Sequence, residues 1–178
     1  MANYGSCINW VLRLEDSILS GKIENLGDGA GLTRFGITSV NDNWIDPEFW
    51  GSMPRDAALE IATQVYHDKY WNLINGLQIV DDEVAATLLS FAVNDGVRQA
   101  IREIQRIVGV PDDGVSGSIT IAAINQACAV KGAPNVAQGL REAQEAYYEA
   151  VLARKPQDEK FRNGWMNRAR ARYPDLSY

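Results

Sequence analysis

Apolar residues recur at helical spacing from about Tyr4 to Ile18, where Ile8, Val11, Leu12, Leu14 and Ile18 form one stripe. Asn3 or Ser6 can cap its start, and Gly21 breaks the pattern. A second stripe follows Pro54, a residue suited to a first helical turn. It runs through Ala58, Ile61, Ala62, Val65, Tyr66, Tyr70, Leu73 and Ile74 and closes at Asn75-Gly76. Asp81-Asp82-Glu83 then sets acids at a helix start, where the dipole favours them, ahead of Val84, Leu88, Phe91 and Ala92. Asn94-Asp95-Gly96 interrupts, and Val97, Ile101, Ile104 and Val108 resume the stripe. Residues 109–118 are rich in turn formers, and further helices are predicted over about 119–130, 135–155 and 159–172.

Residues 21–39 follow neither pattern. Gly21, Gly27, Gly29, Gly31 and Gly36 crowd a short stretch, a density that marks tight turns or close backbone approach. Residues 22–26 and 32–38 between them read as two short strands of a small β-hairpin lobe. The fold class expected is therefore mostly α, with one small β element near the N-terminus. The 178 residues read as a single domain, 1–178, long enough to bury a core without disulfide or metal.

Charge narrows the partners. Seventeen basic residues face 23 acidic ones, for a net charge of −6. Nucleic acid needs a basic face and is not expected as a partner. The basic residues from Lys160 to Arg172 read as a solvated helix face, with attraction to anionic wall polymers as the alternative. No apolar run approaches the roughly 20 residues of a membrane span. Met1–Trp10 lacks the features of a secretion signal, so synthesis in the cytoplasm is expected. Cys7 and Cys128 are far apart and read as two reduced thiols.

Elimination limits the chemistry. The single histidine, His67, lies mid-helix without a nucleophile motif. No His and Cys cluster suggests zinc, and Gly27-Asp28-Gly29-Ala30-Gly31 lacks the Lys-Ser/Thr of a phosphate loop. No metal or cofactor is expected. Carboxylates remain. Glu15 falls at the end of the first helix with Val11 and Ile18 as apolar neighbours, surroundings that would favour the protonated form and suit a general acid. Asp28 and Thr33 follow in the glycine-rich segment. A carboxyl on a helix end opposite an Asp and a Thr on a hairpin suits cleavage of a glycosidic bond. On spacing alone the plainer reading is better supported: a solvated helix glutamate and a turn aspartate.

The residues themselves carry more. Ile8–Ser17, then Gly27-Asp28-Gly29-Ala30-Gly31-Leu32-Thr33-Arg34-Phe35-Gly36-Ile37-Thr38, resembles the N-terminal motif of glycoside hydrolase family 108. That family comprises lysozyme-like N-acetylmuramidases of phage endolysins and secretion-assisting proteins. Tyr70-Trp71, Val93-Asn94-Asp95-Gly96, and Asp113-Gly114 with Gly117 and Thr120 resemble its later motifs. Phe161-Arg162-Asn163-Gly164-Trp165-Met166-Asn167-Arg168 is similar to its closing segment.

The resemblance implies a lysozyme-like helical domain that cuts the β-1,4 bond between N-acetylmuramic acid and N-acetylglucosamine. Glu15 would be the general acid, and Asp28 and Thr33 the second carboxylate and a hydroxyl that orients water. Arg34, Tyr70, Trp71 and Asn94 are the expected substrate-binding residues; Tyr70 and Trp71 can equally be core aromatics, and Asn94 a helix cap. Catalytic motifs would occupy about 1–95, a peptidoglycan-binding-like lobe about 97–130 and C-terminal helices 134–173. One departure stands out: Asp16-Ser17 replaces the family's Gly-Gly. It motivates the alternative of a catalytically weakened wall-binding or phage structural protein. The partners implied are peptidoglycan and a holin or secretion machinery, for a monomer that acts on the wall after release.

Overall fold

The computed structural model describes residues 1–25, 27 and 29–175. Among them, seven α-helices surround a core, and a three-stranded antiparallel sheet follows the first helix. Helix α1 (Tyr4–Glu15) starts at Asn3, whose side chain accepts from the Ser6 N–H. It ends three residues before the apolar stripe does, because Asp16 turns to extended backbone at φ −142°. Ile18 is consequently 75% exposed rather than buried on the stripe.

The sheet differs from the expected hairpin. Strand β1 (Glu24–Asn25) pairs with β2 (Leu32–Arg34), and β2 pairs with β3 (Ile37–Thr38), with Glu24 opposite Thr33 and Arg34 opposite Ile37. The single strand predicted over 32–38 is thus folded in two by a two-residue turn, Phe35-Gly36. Both residues have positive φ, 49° and 74°. Such turns follow the right-handed twist of the strands they join. A bulky residue at positive φ is unusual, and Phe35 is held there by full burial of its ring.

Helix α2 (Arg55–Tyr66) runs into a wider π turn over His67–Trp71. Helix α3 (Asp82–Asp95) is capped by Asp81, which accepts from the Val84 N–H at 3.1 Å. Every residue from Val84 to Ala92 is buried, the signature of a helix covered on all sides. It packs against α1, α4 (Val97–Val108) and α6 (Ala133–Arg154). Gly96, at φ 92°, makes the corner between α3 and α4.

Helix α5 (Ser118–Lys131) packs on α4 and α6, and α7 (Arg162–Arg170) lies against α6. The connector between α4 and α5 is organised by Gln105, which donates to Asp113 and Thr120 and accepts from the Gly114 N–H. These three partners belong to the Asp-Gly-x-x-Gly-x-x-Thr motif. One cluster of buried side chains extends from Ala2 through α3 and α5 to Ala171, and a smaller one joins Tyr148 and Leu152 to Met166 and Ala169. Cys7 and Cys128 are both free and buried. Among the described residues, no helix is long and apolar enough to cross a membrane.

Lys160, Arg170 and Arg172 are exposed, as expected of a solvated face, and Arg168 is the one that departs from it. Arg170 pairs with Glu145 at 2.6 Å, Arg162 pairs with Glu149 and Glu159, and Arg168 turns inward.

Candidate active site

Glu15 closes α1 at the waist of a surface groove. On one side lies a cleft of about 170 Å³ lined by Asp42, Tyr66, Lys69, Tyr70 and Asn94, among others. On the other lies a cleft of about 260 Å³ lined by residues that include Asp16, Lys22, Glu24 and Thr33. Glu15 and Gly36 line both.

The Phe35-Gly36 turn positions this waist. Tyr66, fully buried on α2, donates its hydroxyl to the Phe35 carbonyl at 3.0 Å. A Cβ added at Gly36 would stand 2.6 Å from the Tyr66 hydroxyl and 2.9 Å from Glu15 Cγ. Only glycine allows the turn to press this closely against the glutamate. Burial, reinforced by the charge of Glu15, keeps the Tyr66 hydroxyl well above its ordinary pKa, so it donates as a neutral phenol.

The carboxylate of Glu15 does not rest among apolar side chains as the sequence led us to expect. Ile18 points to solvent, and Nη1 of Arg168, from α7, stands 2.6 Å from Glu15 Oε1. Arg168 retains 11% of its side-chain exposure and Glu15 21%. Behind the pair, Tyr148 and Gln144 of α6 both donate to Asp95 Oδ2, at 3.0 and 2.9 Å, and the Asn94 amide donates to the Tyr148 hydroxyl. Burial raises the pKa of Asp95, and these donors offset the effect only in part.

Asp16 follows Glu15 but is turned to another task. Its Oδ2 accepts from the Gly21 N–H at 2.7 Å and the Ser20 hydroxyl at 2.9 Å. Burial pushes its pKa up, but the backbone N–H groups of Ser20, Gly21 and Ile18 and the Ser20 hydroxyl outweigh that and hold it below the usual aspartate range. The Asp16-Ser17 departure therefore ties down the loop that carries the chain from α1 to the sheet.

A second carboxylate enters the first cleft from a position the sequence reading passed over. Asp42 is 5% exposed and its Oδ1 lies 2.5 Å from Lys69 Nζ. Of the residues singled out from the sequence, Thr33 lines the second cleft, and Tyr70 and Asn94 line the first. Asp28 lies outside the described residues. Two of the expected substrate contacts are corrected. Arg34 is 4% exposed and lines neither cleft; its guanidinium donates to the carbonyls of Gly21, Phe49 and Met53 at 2.8–2.9 Å. Trp71 is 2% exposed and packs against Gly76 and Tyr4 in the core. Arg168, Asp42, Lys69 and Tyr66 were missed. Arg168 alone had a signal, as the last residue of the closing Asn-Arg segment; the others sit in stretches whose pattern says only helix or loop.

A helix-end glutamate at the waist of a groove, floored by a small sheet and backed by a helical body, is the arrangement of lysozyme-like glycoside hydrolases. Residues 9–96 match the family model for glycosyl hydrolase 108, and residues 99–170 match a predicted peptidoglycan domain. The solved structure of Brucella abortus SagA superposes on 93% of this chain and 88% of its own, with a TM-score of 0.69 and 25% sequence identity. No curated protein matches the chain. Residues 9–96 thus form a glycosyl hydrolase 108 region, and with the peptidoglycan domain that follows they make the chain a glycoside hydrolase acting on peptidoglycan.

Proposed function

We propose that the protein is an N-acetylmuramidase that cuts the β-1,4 bond between N-acetylmuramic acid and N-acetylglucosamine, with Glu15 as general acid. The observation that carries this reading is the place of Glu15 between two adjoining clefts, where a glycan strand crossing the waist would present one glycosidic oxygen to the carboxyl. Glu15 protonates that oxygen, the bond from the anomeric carbon breaks, and water adds its oxygen to that carbon. The proton released by water returns to the carboxylate.

Positive charge develops on the sugar as the bond breaks, and a carboxylate near the anomeric carbon opposes it. Asp28 carries this role by resemblance. Asp42, paired with Lys69, is a second carboxylate that already lines the groove. Thr33 supplies a hydroxyl from β2 to orient water, and Tyr70 and Asn94 supply a ring face and an amide to bind the sugar. On this reading residues 1–178 work as one monomeric unit, and a holin or secretion machinery brings it to the wall.

A second reading, a wall-binding protein with weakened catalysis, is favoured by the Glu15–Arg168 ion pair, which occupies one oxygen of the acid. Release of reducing ends from purified peptidoglycan by the wild type and by Glu15→Gln separates the two. The muramidase releases them and the variant loses at least about 100-fold, within the range of general acid catalysis. Binding to sacculi without release by either protein would replace the first reading with the second. Mass spectrometry of the fragments distinguishes hydrolysis from a transglycosylase, whose products carry anhydro ends.

A further inference from the structure

Arg168 lies in the region matched as a peptidoglycan domain, yet its charge is spent on Glu15 of the hydrolase region. Its Nε and Nη2 are buried with no hydrogen-bond partner. Burial works against its charged form; the charge of Glu15 and the hydrogen bond to its carboxylate outweigh this and raise its pKa above the ordinary arginine value. The groups facing this cation come from every packed element: Glu15 from α1, Tyr66 from α2, Tyr70 from the π turn, Asp95 from α3 and Tyr148 from α6. A surface charge serving solubility or wall attraction has no need of such surroundings.

We propose that Arg168 is a positioning residue for the reaction, and that the C-terminal region thereby forms part of the catalytic centre. This rests on the reading of Glu15 as the acid. The guanidinium grips one oxygen of Glu15 and leaves the other for the substrate. As Glu15 gives its proton to the glycosidic oxygen, negative charge develops on the carboxylate beside a cation already fixed in place. Such a group stabilises the transition state more than the ground state and needs no reorganisation at the moment of reaction. Asp95 also faces Arg168, and its Oδ2 is engaged by the donors of Gln144 and Tyr148.

The test uses the full chain with Arg168→Met, Arg168→Lys and Glu15→Gln, assayed on purified peptidoglycan with circular dichroism as a check on folding. Arg168→Met is expected to lower kcat by about 100-fold or more, as for loss of a preorganised charge, with KM nearly unchanged. Added methylguanidinium restores part of the rate. Arg168→Lys, which keeps the charge without the planar fork, falls between; if the Met variant does not fold, the Lys variant carries the test through the same kcat and KM split. Wild-type kcat in a folded variant, or a loss without rescue, overturns the proposal. If Glu15→Gln keeps wild-type activity, the reading of Glu15 itself falls, whatever Arg168 does.

Discussion

Replacing Gly36 by Ala tests the contact on which the groove's geometry depends. The new Cβ would meet the Tyr66 hydroxyl at 2.6 Å and Glu15 Cγ at 2.9 Å, and the backbone there has φ 74°. The left-handed conformation costs alanine about 1–2 kcal/mol. Overpacking against a buried hydroxyl and a helix end adds roughly 1–3 kcal/mol. Gly109→Ala is the control: φ is 78°, yet nothing lies within 4 Å of the added Cβ, so it pays the conformational cost alone. Urea unfolding of the two variants isolates the packing contribution as their difference. The effect on activity separates them further. Relief of the clash requires Glu15 or the turn to move by a few tenths of an ångström or more, and misplacement of about 1 Å costs on the order of 100-fold in rate. Gly36→Ala should therefore be the less stable variant and should release reducing ends much more slowly at a temperature where both are folded, while Gly109→Ala keeps the wild-type rate. Equal stabilities and equal rates would show that the turn does not hold the glutamate, and the account of the groove's waist would fail.

Two further predictions concern residues beside the groove. Arg34→Met should destabilise the fold by about 3 kcal/mol, since it strips a buried donor from three carbonyls; KM measured where the variant is folded should stay at its wild-type value, and a raised KM with unchanged stability would return Arg34 to the substrate. Asp16→Asn should lower stability at neutral pH. The native pKa of Asp16 lies below its ordinary value of 3.8, so its contribution is complete above that value and is lost as pH falls through the lowered one. Urea midpoints of the two proteins should thus converge on acidification, and a gap that persists at low pH would refute the assignment.

Much of the helical body is legible in the pattern of apolar residues, because burial imposes the period. The acids at Asp81–Glu83, the glycine corner at Gly96 and the turn-rich connector over 109–118 all announce themselves locally. The turn at Phe35-Gly36 does not, since phenylalanine at positive φ is stabilised by the core and by Tyr66 rather than by its own preference. For Trp71 the pattern leaves core and cleft open, and burial of its ring against Tyr4 and Gly76 decides for the core. Arg34 looked like a ligand for want of knowing that three carbonyls converge on it. Glu15 was found from its motif, but its partner Arg168 stands at the other end of the chain, and no helical period links the two. Asp42 and Lys69 come together across a loop and a turn, a juxtaposition visible only once the chain is folded.

The pairing of Glu15 with Arg168 also sets a timetable. The ribosome makes the glutamate well before the arginine. At about 5–20 residues per second, on the order of ten to thirty seconds separate them. Throughout that interval the nascent chain carries its acid without the counter-charge that belongs beside it. On the proposed roles of Glu15 and Arg168, unfinished copies are short of a complete centre, and translation products truncated before Arg168 inherit the same deficit.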